Sequence, residues 1–261
     1  MSENIRIYSP QTVETEDLCL EGEDFHYLAH VHRIRVGRRC ILFGKGDREI
    51  VCEVAEVGKS SIRLRKIETR RVRTESPVHL TLFVATGKGK KLEEVVEKTT
   101  SLGVARIVPF VGARSVAFRS NPRLRERLEK IAVEACHQCG RTCPPEISEV
   151  AANIQEALDG IGSENPRLCC LDEAGGEDLI AAATSCPLGN EVGLFCGPEG
   201  GWSEGERGLL RRSGAKVVSL GPRILRTELA AVVGVALLER LLSSRHQYET
   251  RRTPTLNDCD S

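Results

Sequence analysis

Residues 191–206, EVGLFCGPEGGWSEGE, combine a strand pattern, a glycine-rich loop and the start of a helix. Residues 191–196 form a short apolar run, which is typical of a strand buried inside a parallel sheet. Ser203, followed three positions later by Glu206, has the spacing of a capping box, so a helix is predicted to begin there. The stretch therefore predicts one strand–loop–helix unit of an α/β fold.

The same alternation of short apolar runs and amphipathic stretches extends from residue 79 to residue 242. It predicts an α/β domain with a mostly parallel sheet covered by helices. The last helix pattern is apolar on nearly every face, and the polar residues 243–261 after it are expected to be poorly ordered. The predicted strands are residues 79–85, 105–111, 168–171, 191–196 and 216–220, and the predicted helices are residues 91–102, about 121–135, 154–158, 178–184, 204–212 and 229–242.

The chain has 261 residues and 37 basic and 37 acidic side chains, but their distribution is uneven. Residues 14–24 contain six acids and no Lys or Arg, whereas residues 33–73 contain thirteen Lys/Arg against five acids, a net charge of +8. In the basic stretch, alternating apolar runs broken by glycine turns predict a small antiparallel β-barrel. Residues 62–65, IRLR, would bury one face and present guanidinium groups on the other. Such a face suits RNA phosphates, and a solvated surface strand is the alternative that these residues leave open.

Composition and termini exclude several classes of protein. With 40% hydrophobic residues, the chain is too apolar to be intrinsically disordered. The longest apolar stretch, residues 229–238, is too short for a membrane span, and the opening MSEN lacks the order of a signal peptide. We therefore expect a soluble, cytoplasmic protein with no membrane partner. Polar residues and a proline at 74–77 predict a domain boundary, giving a barrel over 1–74, an α/β domain over 75–245 and a flexible tail over 246–261.

The 11 cysteines are expected to be reduced and mostly buried. Those in apolar runs are Cys40, Cys52, Cys169, Cys170 and Cys196. The segment from Cys136 to Cys143 contains a CxxC and a third thiol, but a zinc or iron–sulfur site usually needs a fourth ligand and no second CxxC exists. We therefore favour cysteines at a helix end over a metal site, and expect no metal.

Two glycine-containing loops follow predicted strands, at the sheet edge where parallel-sheet proteins bind ligands. The loop 197–203 has glycines that would leave backbone groups open to a flat ligand, with a purely structural turn as the alternative. The second loop, LGPRILRTE at 220–228, leads directly into a helix. Residues 197–202 lack the GxGxxG spacing and residues 87–91 do not complete GxxxxGK[ST], which argues against a dinucleotide oxidoreductase and a P-loop NTPase.

Taken together, FCGPEGGWS at 195–203 and LGPRILRTE at 220–228 resemble the two signature motifs of the RsmE-type small-subunit rRNA uridine N3-methyltransferases, of the SPOUT class. The resemblance covers nearly the whole chain. EVVEKTTSLGV at 94–104 is similar to the family's KATELGV helix, EACHQCGR at 134–141 to its EAAEQSGR segment, and residues 26–34 to the HHL…VLR opening of its PUA-like barrel. The chain departs from the family pattern at Leu229 in the ETA motif, at Ser101 in ELG, and at 44–47, where GKGD replaces DGxG.

The resemblance implies that S-adenosylmethionine binds in a deep trefoil knot at the carboxyl edge of the sheet, with the site completed by a second subunit of a homodimer and without a metal. Residues 171–173 are implied to form a third wall of this site, after the two signature loops. The implied cofactor-binding residues are Leu171, Cys196, Gly197, Pro198, Glu199, Gly200, Gly201, Leu220, Gly221, Ile224 and Leu225.

For the reaction, the resemblance makes Arg226 a candidate for holding the uracil oxygen or a phosphate. Glu199 and Glu228 are candidates for removing the N3 proton or ordering a water, with a loop-bracing ion pair as the alternative for each. The substrate would be ribosomal RNA or the small ribosomal subunit, and the competing functions are a non-catalytic RNA-binding protein and methylation of another RNA. The arginines expected to dock RNA phosphates are Arg33, Arg35, Arg38, Arg39, Arg63 and Arg65.

Overall fold

The computed structural model describes residues 5–10, 18–44, 46–87, 89–115, 121–161, 166–185 and 191–252, with side chains as far as residue 244. The chain forms two compact units. The first comprises Met1–Glu75 and Val133–Pro144, and the second comprises Ser76–Ala132 and Pro145–Ser261. The sequence predicts a single boundary after residue 74, whereas in the structure residues 133–144 also belong to the first unit.

The first unit contains one five-stranded sheet. Its elements are β1 (Ile5–Tyr8), β2 (Cys19–Glu21), α1 (Gly22–His26) continued by a π-helical segment (Tyr27–Val31), β3 (Arg39–Phe43), β4 (Arg48–Val57) and β5 (Ser61–Arg71). The strand order is β1-β3-β4-β5-β2, and every pairing is antiparallel except that between β1 and β3. The prediction of an antiparallel barrel is wrong for β1, because the chain between Tyr8 and Arg39 is long enough for a parallel crossover.

The predicted alternation along β5 is confirmed. Ile62 and Leu64 are buried in the core of the first unit, whereas Arg63 and Arg65 are exposed. Cys40 faces Cys52 across β3 and β4 and both are buried, as expected for small apolar side chains. Along this part of β5, one face therefore carries core side chains and the other carries basic side chains.

Residues 133–144 join the first unit through polar contacts. Arg141 is buried and donates from Nε and Nη2 to Glu75 Oε2, at 2.9 and 2.8 Å. The backbone N–H groups of Thr142 and Cys143 donate to the other oxygen of Glu75, at 2.8 and 3.2 Å. His137 Nε2 accepts from the Tyr8 backbone N–H at 3.2 Å, and burial lowers the pKa of His137. Because these partners are far apart in sequence, no local pattern indicates them.

The second unit contains a seven-stranded sheet in which every pairing is parallel, so the predicted parallel sheet is confirmed. Its strands are β6 (His79–Ala85), β7 (Arg106–Phe110), β8 (Glu146–Ile147), β9 (Arg167–Leu171), β10 (Glu177–Asp178), β11 (Glu191–Cys196) and β12 (Lys216–Ser219). Its helices are α2 (Lys91–Ser101), the first part of α3 (Leu124–Cys139), α4 (Ile154–Asp159), α5 (Leu179–Ser185), α6 (Glu204–Arg212) and α7 (Thr227–Arg252). Leu82 and Leu194 pack on one face of this sheet, and Phe83 and Phe195 on the other, so both faces are buried.

Helix α7 is longer at both ends than the sequence predicts. It begins at Thr227 rather than 229 and continues to Arg252 rather than 242. Residues 243–252 of the tail belong to this helix, and the rest of that tail lies outside the described residues. Ser243 is buried and lies 3.2 Å from Ser76, Oγ to Oγ. Among the described residues, no helix has the length and apolarity needed to cross a membrane.

The strand order β10-β12-β9-β11-β6-β7-β8 determines which loops meet. β12, β9, β11 and β6 are consecutive neighbours and run in the same direction, so their carboxyl ends share one edge of the sheet. The loops that follow these four strands therefore converge at that edge.

Candidate active site

A cavity of about 480 Å³ lies beyond the carboxyl ends of β9, β11 and β12. Three segments line it: residues 171–175, 196–202 without residue 200, and 218–227, together with Ala230 of α7. Ten of the eleven residues that the sequence implies for cofactor binding lie on its wall. They are Leu171, Cys196, Gly197, Pro198, Glu199, Gly201, Leu220, Gly221, Ile224 and Leu225.

The eleventh residue, Gly200, faces the loop after β7. A Cβ there would lie 2.9 Å from Arg114 Cβ, and its carbonyl accepts from Arg114 Nη1 at 3.2 Å. A Cβ on Gly197 would lie 2.8 Å from the Trp202 ring, and one on Gly201 would lie 2.8 Å from Glu173 Oε1. The space beside the Cα of each of these three glycines is filled by the protein, and the prediction that their backbone groups are open to a flat ligand stays a prediction. The glycines therefore allow the loop to pack closely against its own neighbours.

Trp202 fixes the loop to the strand beside it. Its ring is 1% exposed and stacks on Phe110, with ring centroids 6.0 Å apart. The indole N–H donates to the Leu171 carbonyl at 2.7 Å, which connects the loop after β11 to the end of β9. The predicted capping box is present, and Glu206 also accepts from the Ala113 backbone N–H at 2.8 Å. The exit of the loop is therefore held on two sides.

Asp172 and Arg207 support the third wall. Arg207 donates from Nε and Nη2 to the two Asp172 oxygens, at 2.7 and 3.1 Å, and the Ala174 N–H donates to Oδ1 at 3.0 Å. The Arg207 hydrogen bonds lower the pKa of Asp172, so this largely buried side chain stays ionised. The wall is thereby fixed to helix α6.

The two signature loops are joined at Cys196 and Thr227. Thr227 Oγ1 donates to the Gly197 carbonyl at 3.0 Å, and the Cys196 thiol donates to the Thr227 carbonyl at 3.4 Å. Burial raises the pKa of the Cys196 thiol to about 12, so it remains a neutral donor. Within the described part of the chain, no group of three or more His, Cys, Asp or Glu side chains is arranged to hold a metal ion.

The three candidate catalytic residues lie around this cavity. Arg226 lines it, is exposed, and has no hydrogen-bond or ion-pair partner for its guanidinium group among the described residues. Glu199 also lines the cavity, and Glu228 lies in the first turn of α7 with its side chain 15% exposed. Lys91, which belongs to neither signature motif, lies 2.8 Å from Glu199 and 3.6 Å from Glu228, Nζ to carboxylate oxygen. Its position shortly after β6, the neighbour of β11, is the signal that could have identified it.

The six arginines predicted to dock RNA are all exposed on the first unit. Arg33 has a positive φ of 48°, which is uncommon for a residue with a side chain. Arg39, Glu53 and Arg65 lie opposite one another across β3, β4 and β5. Arg65 Nη2 lies 2.6 Å from Glu53 Oε1, so its charge is partly compensated.

A parallel sheet with a cavity at the carboxyl ends of its strands defines a class of α/β proteins that bind a small ligand at this edge. Comparison with known proteins identifies the family. A family model for an RNA methyltransferase domain matches residues 74–239, and one for an RNA methyltransferase PUA domain matches residues 20–67.

Individual relatives give the same result. The ribosomal RNA small subunit methyltransferase E of Bacillus subtilis is 30% identical over 241 residues, covering 90% of this chain and 94% of the relative. The protein of the same name from Rickettsia conorii is 34% identical over 221 residues, covering 84% and 87%. A crystal structure of ribosomal RNA small subunit methyltransferase E from Neisseria gonorrhoeae, bound to S-adenosylmethionine, has a TM-score of 0.82 and 25% identity, covering 91% of this chain and 98% of that one. The chain belongs to the ribosomal RNA small subunit methyltransferase E family, which confirms the resemblance found in the sequence.

Proposed function

We propose that this protein is an S-adenosylmethionine-dependent methyltransferase that methylates N3 of a uridine in small-subunit ribosomal RNA. Family membership and the name that its relatives carry support the substrate class. The cofactor bound to the Neisseria gonorrhoeae relative supports S-adenosylmethionine. The observation that carries the proposal is that nine implied residues of the two signature motifs, together with Leu171, line a single cavity.

The cavity suits a cofactor that contains a nucleoside. Its volume of about 480 Å³ lies within the roughly 300–1,000 Å³ usual for such sites. Leu220, Ile224 and Leu225 provide apolar walls, and the backbone of the two signature loops provides hydrogen-bonding groups for a flat base. The Glu173 carboxylate, which also lines the cavity, suits a hydroxyl or ammonium group. When bound, S-adenosylmethionine supplies an electrophilic methyl group on a positively charged sulfur.

The candidate catalytic residues have separate roles in this proposal. Glu199 lines the cavity and accepts the proton from uracil N3 as general base. The exposed guanidinium of Arg226 holds a uracil oxygen and stabilises the negative charge that develops when N3 loses its proton. Glu228 does not line the cavity, so it acts behind Glu199 and does not contact the substrate.

RNA docking, assembly and the knot are further parts of the proposal. The exposed arginines of the first unit would bind phosphates of ribosomal RNA or of the assembled small subunit. A homodimer would complete the site, and the backbone would form a trefoil knot at the cavity. The proposed ribosomal substrate favours a cytoplasmic location. Light scattering of the purified protein should give twice the mass of 28.7 kDa, and a monomer would remove the homodimer from the proposal.

Cofactor binding can be followed directly because Trp202 is the chain's single tryptophan and lines the cavity. Addition of S-adenosylmethionine should change its fluorescence and release heat in calorimetry. The purified protein should then transfer a labelled methyl group to small subunits from a strain that lacks the gene, and nucleoside mass spectrometry should identify 3-methyluridine. Binding without transfer would support a non-catalytic RNA-binding protein, and a different modified nucleoside would move the target elsewhere.

Arg226→Ala tests the assigned role of the exposed guanidinium. We expect cofactor affinity to stay within about twofold and methyl transfer to fall by about 10²-fold or more, as is typical when a donor to a developing anion is removed. Arg212→Ala is the matched control, because Arg212 is exposed on α6 and does not line this cavity. Wild-type turnover of Arg226→Ala would remove this residue from the mechanism.

RNA docking is tested by the salt dependence of binding. Replacing an arginine that contacts a phosphate by alanine should reduce the slope of log affinity against log salt concentration by about one. Arg63→Ala should show this loss, with Arg212→Ala as control. Equal slopes for the wild-type protein and Arg63→Ala would show that Arg63 does not bind a phosphate.

A further inference from the structure

Two loops pack against the loop that follows β11. The first is the loop after β6, where a Cβ on Gly87 would be 3.1 Å from Glu199 Oε1. The second is the loop after β7, where a Cβ on Gly112 would be 3.1 Å from Pro198 Cγ. Because β11, β6 and β7 are consecutive neighbours and run in the same direction, both loops lie at the edge of the sheet that holds the cavity, on the side away from β12.

The loop after β7 carries the exposed side chain of Arg114. The loop is fixed to α6, since the Ala113 backbone N–H donates to Glu206 Oε1 at 2.8 Å. Arg114 Nη1 donates to the Gly200 carbonyl at 3.2 Å, which holds the guanidinium group beside the loop after β11. A guanidinium group has five N–H donors, so this contact leaves donors for a ligand. Among the described residues, no carboxylate forms an ion pair with Arg114.

The loop after β6 carries a second exposed cation, Lys90, directly before α2. Its neighbour Lys91 is paired, with Nζ 2.8 Å from Glu199 Oε1. Lys90 forms no ion pair with a carboxylate in the part of the chain that the structure describes. The side of the cavity nearest β6 and β7 therefore carries two positive charges, Lys90 and Arg114, that no described carboxylate compensates.

The basic side chains at the amino ends of the same two strands differ, because each of them has an acidic partner. His79 Nδ1, at the start of β6, lies 3.0 Å from Glu191 Oε2. Arg106 Nε, at the start of β7, lies 3.4 Å from Glu146 Oε1. The uncompensated charges thus follow the carboxyl ends of these strands, where they favour an anion beside the cavity.

We propose that Arg114 and Lys90 bind phosphate groups of the RNA strand next to the target nucleotide, so that the strand passes over the loops after β6 and β7 and the target base enters the cavity past Glu199. An enzyme that modifies a base must hold it out of its stack, and contacts to the flanking nucleotides help to do so. The inference rests on the proposed function, because it takes the base in this cavity to be part of an RNA. It assigns to the second unit an RNA contact separate from the arginines of the first.

The test is the salt dependence of binding to protein-free small-subunit rRNA. Arg114→Gln and Lys90→Gln should each reduce the slope of log affinity against log salt concentration by about one, and the double variant by about two. Glutamine at position 114 removes the charge but keeps a donor for the Gly200 carbonyl. Cofactor affinity, followed by Trp202 fluorescence, should therefore stay within about twofold. Arg114→Lys keeps the charge and should retain the wild-type slope.

Methyl transfer to small subunits from a strain that lacks the gene separates binding from chemistry. In Arg114→Gln, KM for the subunits should rise about tenfold, the loss typical of one hydrogen-bonded contact to a charged group. The value of kcat should stay within about twofold, because the groups assigned to the reaction are unchanged. A loss seen with assembled subunits and absent with protein-free rRNA would point to an acidic protein surface and would overturn the phosphate contacts.

Arg212→Gln is the matched control. Arg212 is also exposed, but it ends α6, roughly 12 Å along the helix from Glu204, which begins α6 beside the cavity. This variant should leave the slope and KM unchanged. A wild-type slope in Arg114→Gln or Lys90→Gln would overturn the proposed contacts, and weakened cofactor binding at that slope would show that Arg114 only braces the loop after β11. A wild-type protein that binds rRNA through these residues but transfers no methyl group would instead refute the proposed function.

Discussion

Replacement of Arg207 by methionine should destabilise the wall of the cavity, although Arg207 itself does not line it. In the native protein Arg207 makes two hydrogen bonds to Asp172, and the side chains are 17% and 5% exposed. Methionine keeps the aliphatic stem and removes the charge, so Asp172 retains only the Ala174 N–H as a donor. A largely buried carboxylate then remains without its cation.

The expected loss follows from the burial of this pair. Removing one partner of a buried ion pair costs roughly 3–5 kcal/mol, because the other charge stays desolvated. Arg207 reaches solvent with part of its side chain and Asp172 keeps one donor, so we expect about 3 kcal/mol, at the lower end of that range. For a domain of this size, this corresponds to a decrease in Tm of about 6–12 °C.

The stability difference between the wild-type protein and Arg207→Met should depend on pH. Arg207 lowers the pKa of Asp172 in the folded state, so the pair stabilises the protein above the unfolded pKa and this contribution is lost as pH falls through the folded pKa. The difference in unfolding free energy between wild type and Arg207→Met should be largest at pH 6–8 and should shrink below about pH 4. Urea unfolding followed by circular dichroism measures it, with Arg212→Met as control. A difference below about 0.5 kcal/mol at pH 7 would refute the reasoning.

Three other changes have expected outcomes on stability. Trp202→Phe removes the indole N–H that donates to the Leu171 carbonyl, so it should cost about 1–3 kcal/mol in urea unfolding and weaken cofactor binding. Phe110→Leu keeps this hydrogen bond and should leave cofactor affinity unchanged. Gly221→Ala has open space but a φ of +103°, so backbone strain alone should lower stability by about 1–2 kcal/mol in thermal unfolding. Gly205→Ala, also in open space but within α6, should raise it by about 0.5–1 kcal/mol. Equal Tm values for the two glycine variants would contradict both assignments.

The strands and helices of the second unit can be predicted from the sequence because the signals for them lie in neighbouring residues. Each strand of that sheet is a short apolar run, and the capping box at Ser203 marks the start of α6 directly. The parallel pairing of β1 with β3 depends on contacts between distant residues, which leave no periodic pattern in the chain. The end of α7 was predicted from hydropathy, but a helix ends where a glycine, a proline or a cap ends it, and the first proline after residue 242 is Pro254.

The site shows the same division between local and distant information. The two glycine loops are recognisable as motifs, and they lie on the cavity wall. Lys91 belongs to no motif, and its partner Glu199 is 108 positions away along the chain. The order of strands in the sheet brings these two residues together, and that order cannot be read from the spacing of either motif.

The residues around the cavity differ in whether other parts of the protein hold them in place. The wall residues are already held by protein partners: Trp202 by a backbone carbonyl, Asp172 by Arg207, and Gly197 by Thr227. Because these loops are ordered by such contacts, a ligand would spend little binding energy on ordering them. Arg226, in contrast, is exposed and unpaired among the described residues, so in the proposed function its interactions form only when substrate is present. Changes to the bracing contacts should therefore alter stability and cofactor affinity together, whereas changes at Arg226 should alter the rate of transfer.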